Sequence, residues 1–264
     1  MIWIATYLVA GAGVGFLAGL LGIGGGMTLV PILATLFAAQ SLAPDYNVHL
    51  ALGTGMASVL FTSSASVREH HRHAAVDWRI VARIAPGMLL GALSSTLAAG
   101  WISQRTLALA FAVIVFAGAT QILVGRKPKA ARDMPGTIAT FSISYLIGVV
   151  CGLVSAGGAF LTIPFMLFCG VPMHRAIGTA AAIGVPVALV GTIGYVTGGW
   201  RIHDLPSMSM GFVYLPALVS LVAASVLTAP WGARKAHALP VATLKRVFAG
   251  LLYVLATKMA ISAW

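Results

Sequence analysis

Residues 15–31 of the chain read GFLAGLLGIGGGMTLVP, and residues 148–164 read GVVCGLVSAGGAFLTIP. The two stretches align without a gap, and each has an apolar run, a glycine cluster and a proline in the same places. Glycine is about 1 kcal/mol less favourable than alanine inside a helix, so each cluster is expected to break a helix. The chain is therefore built from two related halves, each with a broken helix near its start.

The similarity between the halves continues beyond the glycine clusters. The matched residues are His49, Ala51, Gly53, Thr54, Pro86 and Trp101 in the first half and His174, Ala176, Gly178, Thr179, Pro216 and Trp231 in the second. A repeat of this length predicts a common architecture for both halves. We divide the chain into a first membrane repeat, residues 1–125, a cytoplasmic linker, residues 126–137, and a second membrane repeat, residues 138–264.

The composition requires a lipid environment. Of the 264 residues, 59% are hydrophobic and 8% are charged, whereas a soluble domain carries about 25% charged residues. So few charged side chains cannot cover the surface of a water-soluble protein of this size. The net charge of +11 would also suit a nucleic-acid-binding protein, but cations gathered in loops on one membrane face are topology signals instead.

Eight apolar stretches are long enough to cross the hydrocarbon core as helices, which requires about 20 residues. These stretches are Trp3–Leu21, Val48–Ser66, Trp78–Gly100, Arg105–Val124, Ile138–Val154, His174–Gly198, Ser207–Ala229 and Val241–Ile261. Two further stretches, Met27–Gln40 and Phe160–Gly170, are shorter and are expected to be half-helices. The predicted fold is an all-α polytopic membrane protein in which each half has a glycine-broken helix, a short half-helix and three further spans.

The charges predict the direction of the spans. If each short helix returns the chain to the side it came from, each half makes an odd number of crossings and the second half is inverted. Thirteen cations then share one face, and Arg105, Arg201 and Lys258 lie on the other. The thirteen are Arg68, Arg72, Arg79, Arg83, Arg126, Lys127, Lys129, Arg132, Arg175, Arg234, Lys235, Lys245 and Arg246. Because Lys and Arg concentrate on the cytoplasmic side, we expect both termini outside.

The two glycine clusters form the predicted substrate site. Each precedes a short helix whose first N–H groups lack acceptors within the helix and whose N-terminus carries a partial positive charge. We expect an anion to bind there through residues of both clusters, namely Gly24, Gly25, Gly26, Gly157, Gly158 and Ala159. The alternative interpretation is that these glycines only allow helices to pack closely.

Hydroxyl groups near the clusters are further candidate ligands. Thr54 and Thr179 occupy equivalent positions of the two halves, and Ser58 lies one turn after Thr54. Thr28 and Thr162 lie in the first turn of the short helices. Each hydroxyl could instead bond to its own helix backbone, as is common in membrane helices.

Other polar residues give weaker evidence for other kinds of site. His49 and His174 begin equivalent spans, and we expect structural roles rather than proton coupling. The histidines within residues 70–73 lack partner carboxylates at ligand spacing, so no metal site is predicted. Ser155 lacks the leading glycine of a nucleophile elbow, so no catalytic residue is predicted.

The motifs resemble those of the sulfite exporter (TauE/SafE) family. The resemblance rests on the run Gly19–Gly26 with Pro31, on Ala51–Thr54 and on the second copy from Gly152 to Pro164, and it covers nearly the whole chain. It implies a transporter, commonly an exporter, of small sulfur-containing anions such as sulfite or organosulfonates. We expect it to work by alternating access around a site near the membrane midplane.

The expected partners follow from this interpretation. They are a small anionic substrate and the lipid of the plasma or inner membrane, and a homodimer is a possible assembly. Neither nucleic acid nor a cofactor is expected. The protein is not expected to be an enzyme. The alternatives are a membrane-embedded enzyme or assembly factor, and a passive anion channel. Flux into proteoliposomes separates a carrier from an enzyme, and saturation separates it from a channel.

The charge distribution generates a test of topology. Single cysteines introduced by His70→Cys and Ala130→Cys, in a background without the two native cysteines, should resist membrane-impermeant thiol reagents in intact cells, because both positions belong to the cation-rich face. Labelling is measured before and after permeabilisation. Strong labelling of both in intact cells would invert the predicted orientation.

Overall fold

The computed structural model describes residues 2–21, 25–124, 134–236 and 241–262, which form ten helices and one short β-hairpin. The helices are α1 (Ile2–Leu21), α2 (Gly26–Ala39), α3 (Asn47–Arg72), α4 (Trp78–Ala99), α5 (Gln104–Val124), α6 (Thr137–Leu153), α7 (Ala159–Phe168), α8 (Met173–Gly199), α9 (Leu215–Ala236) and α10 (Val241–Ile261). The strands β1 (Ser209–Met210) and β2 (Val213–Tyr214) pair antiparallel. The all-α polytopic fold expected from the sequence is confirmed.

Each expected span corresponds to a helix. By length and composition, α3, α4, α5 and α8 could each cross a membrane, and α1, α2, α6, α7 and α9 contribute shorter apolar stretches of 10–17 residues. Large apolar side chains face outward, such as Trp101, 94% exposed, and Ile138, 85% exposed. Lipid is the environment in which so much exposed apolar surface is stable.

Three boundaries differ clearly from the sequence expectation, and one of them is the end of α9, which lies at Ala236 rather than at Ala229. The expected span at Ser207–Ala229 begins later, at Leu215, because the chain first turns through the hairpin, where Gly211 has a φ of 52°. Helix α3 continues past Ser66 to Arg72, since charged residues extend a helix beyond the hydrocarbon and Glu69 pairs with Arg72 at 3.7 Å.

The two halves are packed into each other rather than side by side. The first helix of each half packs against the fourth helix of the other half, α1 on α9 and α6 on α4. At the centre α3 packs on α8, and α5 packs on α10. Exchanging the halves leaves this pattern unchanged, as a two-fold relation requires. The inverted orientation itself stays a prediction. Residues 126–133 of the expected linker lie outside the described residues.

Glycines allow these pairs of helices to approach backbone to backbone. A Cβ added at Gly11 would lie 2.7 Å from the carbonyl oxygen of Leu221 on α9, and one added at Gly87 would lie 2.5 Å from that of Phe141 on α6. The closely spaced helices α4 and α6 meet again at Gly91, which faces the carbonyl oxygen of Tyr145. Close approach through small residues is the usual packing mode of membrane helices.

This packing generates a stability prediction. Gly91→Ala should destabilise the folded protein by about 1–3 kcal/mol, because the new methyl group would overpack the contact with α6. The measurement is thermal unfolding in detergent. Gly250→Ala is the matched control, since a Cβ at Gly250 meets nothing within 4 Å; equal destabilisation by both changes would contradict the close contact.

Candidate functional site

The two glycine clusters adopt corresponding conformations. Gly25, immediately before α2, has a φ of 65°, and Gly158, immediately before α7, has a φ of 92°. Side chains strongly disfavour this left-handed region, so glycine is required at both equivalent positions. Gly24 lies outside the described residues.

The structure brings the two breaks into contact. The backbone of Gly26 packs so closely on the Ser155 carbonyl group that a Cβ there would collide with its oxygen. Val59 of α3 lies between the breaks, with one methyl group facing Gly26 and the other 2.6 Å from a Cβ built on Gly157. Gly26 and Ser155, which are 129 positions apart in the sequence, thus lie in contact.

Ser155 holds the second break in place. Its φ is 50°, in the left-handed region that serine rarely adopts, and the chain turns there with Ala156 N–H bonded to the Cys151 carbonyl group at 2.9 Å. The Ser155 hydroxyl donates to the Leu52 carbonyl oxygen at 2.7 Å. This bond fastens the break to α3.

The start of each short helix offers free backbone donors. At α7, the N–H groups of Ala159, Phe160 and Leu161 have no acceptor among the described residues, and the first bond of the helix is from Thr162 N–H to the Gly158 carbonyl group. Within the described residues, the N–H groups of Gly26 and Met27 at α2 likewise have none. Neither helix has a side-chain cap, so these donors remain available to an anion.

The candidate hydroxyls in the short helices are already bonded. Thr28 donates to the Gly25 carbonyl oxygen at 2.7 Å, which orders the turn at the first break. Thr162 donates to the sulfur of Met88 at 3.4 Å. Each hydroxyl oxygen can still accept a hydrogen bond, but neither proton points toward a ligand in this conformation.

A small cavity lies at the first break. Its volume is about 20 Å³, which admits about one water molecule. The polar groups around it come from Ser58, Thr62 and Ser225, and none of its lining residues is charged. A sulfur oxyanion is larger than this cavity.

Thr54 and Thr179 make a different kind of contact from the one expected of a ligand. The Thr54 hydroxyl oxygen accepts a hydrogen bond from the N–H of Tyr214 at 3.0 Å, and the Thr179 hydroxyl oxygen accepts one from the N–H of Asp77 at 3.0 Å. Both threonines are fully buried. Their hydroxyls therefore bind the segments that lead into α9 and α4 of the opposite half, and their contact with substrate stays a prediction.

The glycine before each threonine completes this contact. Gly53 packs on the carbonyl group of Phe212, two residues before Tyr214, and Gly178 packs on that of Ala75, two residues before Asp77. Each Gly-Thr pair thus receives one carbonyl group and one N–H group from the other half. We call these two contacts the reciprocal docks.

Two neighbours of the breaks were not singled out from the sequence. Val59 and Gly184 occupy equivalent positions of α3 and α8, and both contact Gly157. Ser63 lies beside them, 6% exposed, and its hydroxyl has no hydrogen-bond partner among the described residues. The repeat spacing measured from Thr54 and Thr179 would have identified Val59 and Gly184 as a pair.

The histidines do not form a metal centre in the described residues. His73 pairs with Glu69 at 3.1 Å on the surface of the α3 end. His49 is buried against Phe212, and its Nε2 lies 3.0 Å from the carbonyl oxygens of Ala99 and Ile102. His49 therefore joins α3 to the end of α4.

Comparison with known proteins establishes the family. The family described as sulfite exporter TauE/SafE matches residues 7–259. The chain belongs to the sulfite exporter TauE/SafE family. No solved structure is a significant match.

Relatives of this TauE/SafE protein are described as transporters. A probable membrane transporter protein of Haemophilus influenzae is 33% identical over 262 residues, covering 97% of this chain and 98% of its own. Similar proteins described in the same words occur in Bacillus subtilis, 26% identical with 88% and 89% coverage, and in Methanocaldococcus jannaschii, 25% identical with 84% and 80% coverage. The protein is thus a membrane transporter by family.

The reciprocal docks generate the next prediction. Thr54→Val and Thr179→Val should each lower the free energy of unfolding by about 1–3 kcal/mol, because each leaves a partly buried backbone N–H group without its acceptor. Chemical unfolding in detergent measures the loss. Thr192→Val is the control, since the Thr192 hydroxyl bonds only within its own helix, to the Ala188 carbonyl oxygen at 2.6 Å. Unchanged stability together with weakened substrate binding would assign both threonines to the substrate instead.

Proposed function

We propose that this TauE/SafE protein exports small sulfur-containing anions, such as sulfite or organosulfonates, across the plasma or inner membrane by alternating access. The substrate binds where the two glycine breaks meet. Backbone N–H groups at the starts of α2 and α7 hold its oxygens, and hydroxyl groups of α3 assist.

The unpaired donors at α7 carry this proposal. Three consecutive N–H groups without a protein acceptor are costly inside a membrane protein unless a ligand or water satisfies them. Consecutive donors at a helix N-terminus form a site suited to an anion. Ser63, which is buried and unpaired beside Gly157, supplies a hydroxyl donor at the same place.

The charge balance supports an anion bound without a lysine or arginine. Two helix N-termini, each equivalent to about half a positive charge, together offset about one negative charge. Arg83, the cation nearest the middle of α4 in sequence, is exposed on the protein surface. A protonated or monovalent sulfur anion is therefore the favoured species at the breaks.

The closed cavity favours a carrier over a channel. With a volume of about 20 Å³, it cannot admit the substrate until its walls separate. Gly15 of α1 and Leu221 of α9 form the wall on one side of the cavity, and Ser58 of α3 forms the wall on the other side. Movement of the α1–α9 pair relative to α3 would open the site, as alternating access requires.

Glycine replacement tests the site. Gly25→Leu and Gly158→Leu should each reduce sulfite flux in proteoliposomes at least tenfold while leaving membrane insertion intact, because leucine cannot adopt the required φ and would cover the donors. Gly250→Leu is the control, since its position is open. Normal flux in either break variant at matched protein levels would remove that break from the site.

The same vesicles separate the alternatives. Saturating flux with counterflow supports a carrier, flux that rises linearly with concentration supports a channel, and binding without flux supports an enzyme or assembly factor. Arg83→Gln should leave the half-saturating concentration unchanged, because Arg83 is exposed on the protein surface. A large rise in that concentration would indicate a cation-centred site.

A further inference from the structure

A second, larger cavity opens near the ends of α2 and α10 and contains free polar groups. Its volume is about 380 Å³, and it is bounded by the C-terminal turns of α2 and α10 and the N-terminal turns of α3 and α5. The topology prediction places these ends on the outer face. The volume is an order of magnitude above the ~30 Å³ of one water in the liquid, so it can hold a hydrated oxyanion.

Asn47 is the first observation that points to a ligand. It is the first residue of α3, it is 8% exposed, and it lines the cavity. Its side-chain amide has no hydrogen-bond partner among the described residues. A buried amide is expected to find a partner, so the cavity is where a ligand or water would supply one.

Lys258 is the second observation. It lines the same cavity from the last turn of α10 and forms no ion pair within the described residues. None of the described lining residues is acidic, and the nearby Asp45 is exposed in the adjoining loop. Within the part of the chain that the structure describes, no acidic side chain in the cavity therefore compensates the charge of the exposed Lys258.

Three other polar side chains of the cavity already form hydrogen bonds within the protein. Gln104 donates to the Pro44 carbonyl oxygen at 3.0 Å and accepts from Val48 N–H at 3.1 Å. The hydroxyls of Thr35 and Ser262 donate to backbone carbonyl groups of their own helices. Among the described lining side chains, the free donors are thus Asn47 at the N-terminus of α3, Lys258 in the last turn of α10 and the exposed hydroxyl of Ser41. The first turn of α3 has no acidic residue and no side-chain cap.

The cavity also extends toward the breaks. One face of α2 lines it, through residues at helical spacing, Pro31, Ala34, Thr35 and Ala38. Pro31 is five residues from Gly26, which is about 8 Å along the helix axis. The same helix therefore connects the cavity to the first break.

We infer that this cavity is an oxyanion-binding vestibule in which Lys258 and the Asn47 side-chain amide hold a sulfur oxyanion. Its place on the transport path rests on the proposed function, whereas its binding of an anion does not. The vestibule would concentrate anions at the outer end of α2, and the charge of Lys258 would make this binding sensitive to salt.

The sequence offers a direct probe, because Asn47 is the chain's one asparagine. Protein with asparagine labelled at the side-chain nitrogen gives one side-chain amide signal pair by NMR. Sodium sulfite should shift this pair saturably, whereas sodium chloride at the same ionic strength should not. Absence of a sulfite-specific shift would overturn the vestibule.

Two variants test the cation. Lys258→Gln should raise the sulfite concentration at half-shift by about tenfold, the loss expected for one charge-assisted hydrogen bond, and Lys258→Arg should restore it. Arg201→Gln removes an exposed cation of the same predicted face that does not line the cavity, and it should change nothing. The inference is overturned if Lys258→Gln and Arg201→Gln have equal effects, or if Lys258→Gln has no effect. Lys258 would then only complement the dipole at the C-terminus of α10.

Two further measurements separate this inference from the proposed function and from lipid binding. Gly158→Leu should leave the Asn47 titration unchanged even where flux is lost, so flux and titration can fail independently. Phosphatidylglycerol added to the micelles should not displace sulfite from Asn47. Displacement by this lipid at low mole fraction would assign the cavity to a lipid phosphate group and remove it from the transport path.

Discussion

The reciprocal docks are the contacts on which the architecture depends. In each half, a glycine admits a carbonyl group and the following threonine accepts a backbone N–H group, both from the segment that leads into the fourth helix of the other half. The Gly-Thr pairs lie on α3 and α8, which cross at the centre of the protein and also support the two breaks. Fixing the docks therefore fixes where α4 and α9 begin, and with them the partners of α6 and α1.

Polar bonding elsewhere in the helices is mostly local. The hydroxyls of Ser58, Ser64 and Thr197, for example, donate to carbonyl groups three or four residues earlier in their own helices. Such bonds satisfy a hydroxyl in lipid but connect nothing. Fewer side-chain bonds cross between the halves. Those of Thr54, Thr179 and Ser155 lie at the docks and at the second break, and others join Ser94 to Tyr145, Thr120 to Tyr253, Thr162 to Met88 and Thr228 to Ala12. Some of the polar groups that join the halves thus lie close to those proposed to bind substrate.

The repeat made much of this fold predictable. Eight long helices and two short ones follow from apolar length, and the glycine clusters predicted both breaks because glycine at Gly25 and Gly158 meets a backbone requirement visible in sequence. The role of Thr54 and Thr179 was less accessible, since a hydroxyl retained in both halves suits a ligand and a dock equally well. The hairpin before Leu215 was missed because its residues are apolar, and apolar length alone does not distinguish a turn from a helix. The asymmetry of the site also depends on three-dimensional packing, because Ser58 and Ser63 of α3 correspond to Ile183 and Ala188 of α8.

The docks also constrain the biosynthesis of the protein. Their hydrogen bonds join residues 102 and 160 positions apart, and each has one partner in the first half and one in the second. The first half leaves the ribosome before α8 and α9 have been synthesised. At that stage the N–H group of Asp77 and the hydroxyl of Thr54 lack their partners, and α1 lacks α9 to pack against. Neither half is thus a folding unit of its own, and early intermediates in the bilayer are incompletely packed helices whose assembly is completed only after residue 214 has been inserted.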